Sequence, residues 1–148
     1  MGLSKLSLLL PILILTCLNG YSQPFKRSIN KYSETGQRQG LWISYWDEEN
    51  KIPMSKARYE DGRVKGVNKG YYQNGNIQVK KRYLKNRIRV KYYYENRKLE
   101  QKGWAVLEYN PEDIHYYWHG CWKFYDTNRK LVSKACYENG VEILSEFF

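Results

Sequence analysis

Turn-forming dipeptides recur along the chain at near-constant intervals, and this punctuation constrains the fold more than any single residue. Asn74-Gly75, Lys85-Asn86 and Asn96-Arg97 stand 11 residues apart, with related signals at Asp61-Gly62, Asn110-Pro111, Asn128-Arg129 and Asn139-Gly140. Between them lie short runs rich in Tyr, Trp, Val and Ile, residues that suit a pleated, half-buried surface. Period-2 runs bounded by turns read as strands, and no long stretch carries the 3.6-residue apolar rhythm of a helix. The expectation is an all-β fold: an antiparallel meander of β-hairpin repeats forming an open, curved sheet.

The repeat is visible in the residues. Gly40-Leu41-Trp42-Ile43-Ser44-Tyr45 returns as Gly120-Cys121-Trp122-Lys123-Phe124-Tyr125, and the strands that follow end in Tyr59-Glu60-Asp61-Gly62 and Tyr137-Glu138-Asn139-Gly140. Degenerate copies lie between: Tyr71-Tyr72-Gln73-Asn74-Gly75-Asn76-Ile77 and Tyr93-Tyr94-Glu95-Asn96-Arg97-Lys98-Leu99. A unit of two strands and two turns, about 22 residues, accounts for this spacing. Residues 103 to 119 read as an enlarged hairpin.

Over residues 36 to 142 this pattern resembles the MORN-repeat variant family, bacterial proteins built from Tyr-Tyr-x-x-Asn-Gly-x-Leu units, many labelled antitoxins. Asn96-Arg97 and Asn128-Arg129 depart from it by lacking the turn glycine. The resemblance implies a β-sheet interaction scaffold over residues 37–148, and, through the family label, a protein that neutralises a toxin.

The first 22 residues have a different composition. Lys5 precedes an apolar run from Leu6 to Leu18, broken by Pro11 and followed by Gly20-Tyr21-Ser22. Thirteen residues are too few to span a bilayer as a helix, so 1–22 read as a cleavable signal peptide with Gln23 as the new N-terminus. Lipidation at Cys17, with membrane association, is the second reading, although Thr16 stands where Gly or Ala is expected; an uncleaved anchor is the third. Either of the first two places the protein in the periplasm or cell envelope, or outside the cell. Removing the leader takes away Lys5 alone, which leaves 24 basic against 15 acidic residues, a formal charge of +9. Residues 23–36 are polar and unpatterned and read as a tail.

Export bears on the cysteines. A hairpin centred between Asn128 and Arg129 sets Cys121 opposite Cys136, within reach of a disulfide. Two small buried thiols are the alternative, since a one-residue shift in the turn would set Cys121 against Ala135.

Mirror arithmetic yields the main functional expectation. Residues facing each other across a hairpin have a constant sum, so turns centred at 74.5, 85.5 and 96.5 align Lys69, Lys80, Lys91 and Lys102 in one row. Val67, Arg82, Arg89 and Trp104 form the row on one side, and Tyr71, Gln78, Tyr93 and Glu100 that on the other. The opposite face takes Gly70, Val79, Tyr92 and Gln101, beside Tyr72, Ile77, Tyr94 and Leu99. A one-residue slip would exchange the faces, so this sorting of charge from apolar bulk supports the register. Lys81 alone falls on the apolar side, tolerable if its stem packs and its head reaches an edge.

Like charges directly opposite destabilise a sheet. Four lysines over three strand spacings, about 14 Å, therefore read either as a solvated face or as an anion-recognition strip with Arg82 and Arg89, flanked by Tyr71, Tyr93 and Trp104. The partners this implies are an acidic protein or an anionic envelope component; nucleic acid fits basic and aromatic residues but ranks lower for an exported chain. Trp46, Tyr116, Tyr117 and Trp118 fall outside the repeat and are further candidates for partner contact. An enzyme is not expected. His115 and His119, four apart on a strand, lie about 13 Å apart, too far to share a metal, and no cofactor motif, nucleophile elbow or P-loop is present.

Overall fold

A computed structural model describes residues 28–110 and 112–148. In the described residues ten strands run in chain order through one antiparallel sheet, each paired with its sequence neighbours. They are β1 (Lys31–Tyr32), β2 (Arg38–Tyr45), β3 (Pro53–Glu60), β4 (Arg63–Tyr71), β5 (Ile77–Tyr83), β6 (Ile88–Tyr93), β7 (Leu99–Tyr109), β8 (Ile114–Tyr125), β9 (Leu131–Glu138) and β10 (Val141–Phe147). No helix occurs among the described residues, and the sheet stays open, with β1 and β10 as its edges. The leader and Cys17 lie outside the described residues. Part of the expected tail does not behave as one: Lys31 and Tyr32 pair with Gln39 and Arg38. The Asn30 side chain extends this edge by accepting from Ile43 N–H and donating to its carbonyl.

Two kinds of turn recur between the strands. Asp61-Gly62 and Asn139-Gly140, with positive φ at both residues, make the two-residue loops whose twist matches that of the strands. Asn74-Gly75 does not, contrary to its reading as a tight two-residue turn. Here Gly75 N–H donates to Tyr72 O, and Tyr72 N–H to Asn76 O, closing a three-residue loop with Gly75 at a φ of 82°. The Asn74 side chain fixes it by accepting from Asn76 N–H. The same loop recurs at Tyr94–Lys98 and Asp126–Lys130, with Arg97 and Arg129 in the left-handed position. Each loop adds a bulge, so Tyr71 pairs with Ile77 and Tyr93 with Leu99. The expected pairs Tyr71–Gln78, Tyr93–Glu100, Tyr72–Ile77 and Tyr94–Leu99 do not form.

A second device explains the repeated Tyr-Tyr. The Tyr72 hydroxyl donates to the carbonyl of Tyr93, and the Tyr94 hydroxyl to that of Tyr125. Trp46 Nε1 donates to the Tyr71 carbonyl in the equivalent place. Every unit is thus tied to the next by the residue after its strand-terminal tyrosine. Trp46, expected outside the repeat, belongs to it.

The apolar face holds the core. Ile88, Val90, Ala105 and Trp122 are buried, with Val79, Tyr83, Tyr92, Leu107, Phe124 and Tyr137 packed around them. Gly103 lets Trp122 lie flat on β7: a Cβ there would stand 2.3 Å from the ring. Trp122 Nε1 donates to the Trp104 carbonyl at 2.8 Å, and Trp118 stacks on the indole at 3.8 Å. The sheet curls over this face: the Tyr109 hydroxyl on β7 accepts from Val64 N–H on β4, three strands away.

Candidate anion-binding face

The expected lysine row forms, and it is longer than the turns alone predict. Lys69 pairs with Lys80, Lys80 with Lys91, and Lys91 with Lys102. The row continues through Lys56 on β3, Lys123 on β8 and Lys134 on β9. Seven consecutive strands therefore present a lysine at the same level, over about 29 Å at the usual strand spacing. Ile43 on β2 and Glu146 on β10 terminate it.

Bulges bring the outer lysines into line. β4 carries two extra residues against β3, and β8 two extra against β7, with Gly66 and Gly120 at φ values of 69° and 70°. Because the insertion is two residues, side chains beyond it keep their face. Lys69 slides opposite Lys56, and Lys123 opposite Lys102.

Lys134 has Glu146 at 3.8 Å; among the described residues no other lysine of the row has a carboxylate within ion-pair distance. Partial burial, together with the charges of Arg89, Lys102 and Lys80, holds the Lys91 ammonium below its ordinary pKa. Arg82 and Arg89 pair in the next row, and with Lys80 and Lys91 line a shallow hollow of about 230 Å³. Trp104 stands beside Arg89 across the β6–β7 pair, and the guanidiniums of Arg87 and Arg89 lie 4.1 and 6.0 Å from its ring centroid.

On the other flank, Tyr71, Tyr93 and Tyr125 end β4, β6 and β8, each two residues beyond a lysine of the row and so on its face. Lys56 lies 5.7 Å from the Tyr71 ring and Lys102 5.3 Å from that of Tyr125, within cation–π range. Tyr71 and Tyr125 thus each hold an ammonium group of the row against a ring.

Cys121 and Cys136 face each other on β8 and β9 and are joined by a disulfide, on the same face and one step from Lys123 and Lys134. The residues expected outside the repeat divide. Tyr116 and Trp118 lie on the opposite, apolar face, half-buried against the core. The Tyr116 ring receives the Lys81 ammonium at 4.4 Å, which explains how a lysine sits on that side; burial lowers its pKa. Tyr117 shares the cationic face, and its hydroxyl donates to Glu108 at 2.7 Å. Lys56, Lys123, Lys134 and Arg87 were missed by the turn arithmetic.

No cluster of three or more His, Cys, Asp or Glu able to hold a metal occurs among the described residues. No family model, curated protein or solved structure matches the chain at a significant level. The likeness to MORN-variant repeats therefore rests on the residues that carry it.

Proposed function

We propose that this chain is an exported β-repeat protein without catalytic activity, which binds an anionic partner through the basic, tyrosine-flanked face of its sheet. The unbroken lysine row carries the reading. Each like-charged cross-strand pair costs folding free energy, and the described residues supply a counter-charge to Lys134 alone. A surface kept in that condition suits a partner that brings its own negative charge. The sheet provides rigid spacing, and the basic patch attracts acidic proteins or envelope polymers over a long range.

Replacing Lys80 and Lys91 together with Gln tests this. Partner recovery from the native cell should fall sharply, with the fold intact or slightly more stable because repulsive pairs are gone. Binding by the natural protein should weaken with added salt, since exposed charges are screened over about 8 Å at physiological ionic strength. Equal recovery from both proteins, insensitive to salt, would make the row a solvated face. Recovery of an acidic toxin that depends on Lys80 and Lys91 would identify the protein as its antitoxin.

A further inference from the structure

The shape of the lysine row says more about the ligand than its charge does. The row is seven strands long and runs across the strands, with a second basic residue beside it on β3 to β6, at Arg58, Lys65, Arg82 and Arg89, and none on β7 to β9. A compact anion meets two or three of these lysines. Only an extended one meets them all.

Spacing then separates the extended candidates. Lysines on neighbouring strands repeat every 4.7–4.9 Å. An acidic β-strand offers same-face carboxylates only about every 6.6–6.8 Å, so it falls out of step with the row within a few residues. Acidic side chains at i and i+4 of a helix are about 6 Å apart and drift in the same way. A flexible chain with an anionic oxygen on every unit has no such fixed period, and every lysine finds a partner.

The flanking rings separate the polymers. Single-stranded nucleic acid gains much of its affinity from bases stacked on exposed aromatic faces. Here the rings of Tyr71, Tyr125 and Trp104 already carry Lys56, Lys102 and Arg87. Lysine is also a point-charge donor suited to phosphate oxygens at any angle, without the paired geometry that arginine demands.

From this geometry we propose that the row from Lys56 to Lys134 is a track for a linear phosphate polymer without bases, laid across the strands as inorganic polyphosphate would lie. The inference rests on the binding-face reading above and specifies its ligand. The central lysines contact any phosphate chain, whereas Lys56 and Lys123 contact only a chain long enough to reach them.

The test is a titration of the full chain with tripolyphosphate, long-chain polyphosphate, oligo-deoxythymidylate and polyglutamate, the polymers matched in total charge. Counterion release of about 0.7 per contact predicts a slope of log K against log salt near −5 for long polyphosphate, and no steeper than about −2 for tripolyphosphate. Substituting Lys56→Gln with Lys123→Gln should reduce the long-chain slope to about −3.5 and leave tripolyphosphate binding unchanged. Equal slopes for short and long chains would overturn the track. Tighter binding of the oligonucleotide would make the occupant a nucleic acid, and binding of polyglutamate as tight as that of polyphosphate an acidic polypeptide; both overturn the proposal. If no polymer binds while a native partner still depends on Lys80 and Lys91, this inference fails and the binding-face reading stands. If the lysine substitutions alter neither, both fail.

Discussion

Gly103→Ala tests how the single-layer sheet builds its core. The added methyl would stand 2.3–2.4 Å from three atoms of the Trp122 ring, where ordinary carbon contacts are about 3.5–4.0 Å. The indole must therefore move by more than about 1 Å. It has little room to do so, being fully buried, stacked on Trp118 and hydrogen-bonded through Nε1 to Trp104. Overpacking costs about 1–3 kcal/mol and the strained hydrogen bond about 1 kcal/mol. Gly103 does not have positive φ, so the loss of unfolded-chain entropy returns about 0.4–1 kcal/mol. The net destabilisation is about 1–3.5 kcal/mol, or a fall in Tm of roughly 4–14 °C at about 4 °C per kcal/mol for a chain of this size. Urea melts followed by near-ultraviolet circular dichroism measure it. Combining the change with Trp122→Leu should show a coupling above about 1 kcal/mol, because the second substitution removes the obstruction. Stability within about 0.5 kcal/mol of the natural protein, or strict additivity with Trp122→Leu, would refute the packing described.

Arg97→Gly and Arg129→Gly should each stabilise the protein by about 0.5–1 kcal/mol, because a side chain in the left-handed region costs about 1–2 kcal/mol and glycine's greater unfolded entropy offsets only part of it; thermal melts that fall instead would show that these loops do not hold arginine at positive φ. The Cys121–Cys136 bridge spans 15 residues, and its removal by Cys121→Ser with Cys136→Ser should cost about 3 kcal/mol; intact mass with and without reductant checks the bond, and two free thiols in protein purified without reductant would exclude it. Burial raises the Tyr83 phenol to about 12 and pushes Tyr92 and Tyr116 upward as well. A pKa raised above the unfolded value of about 10 favours the neutral form in the fold, so stability is complete below pH 10 and is lost as pH rises toward 12. Urea midpoints from pH 9 to 12 should decline, and Tyr83→Phe should flatten that decline; a midpoint rising through this range would contradict the buried phenols.

The all-β meander and the central lysines were legible because turn spacing and cross-strand sums depend only on local chain length. The same sum that sets Cys121 against Cys136 also pairs Lys123 with Lys134. Lys56 and the join from Lys102 to Lys123 were hidden by the two-residue bulges at Gly66 and Gly120, which displace the register without changing the face. Asn74-Gly75 misled because the dipeptide also serves a three-residue loop, with glycine at its last position. The roles of Tyr116 and Trp118 arise from packing and curling over the apolar face, which pairing arithmetic between adjacent strands does not contain. Trp46 was misplaced because an indole N–H fills the role that a tyrosine hydroxyl fills in the later units.

Lysine acetylation rates, measured residue by residue on the free protein and on the complex recovered from the native cell, test the binding face most directly. Partner binding on this face should protect the row from Lys56 to Lys134 in the complex, most strongly at Lys80 and Lys91, while Lys51, Lys85, Lys98 and Lys130, at the loops and turns, react at unchanged rates. Unchanged rates along the row in the complex, with protection at Lys81 on the apolar face instead, would contradict it.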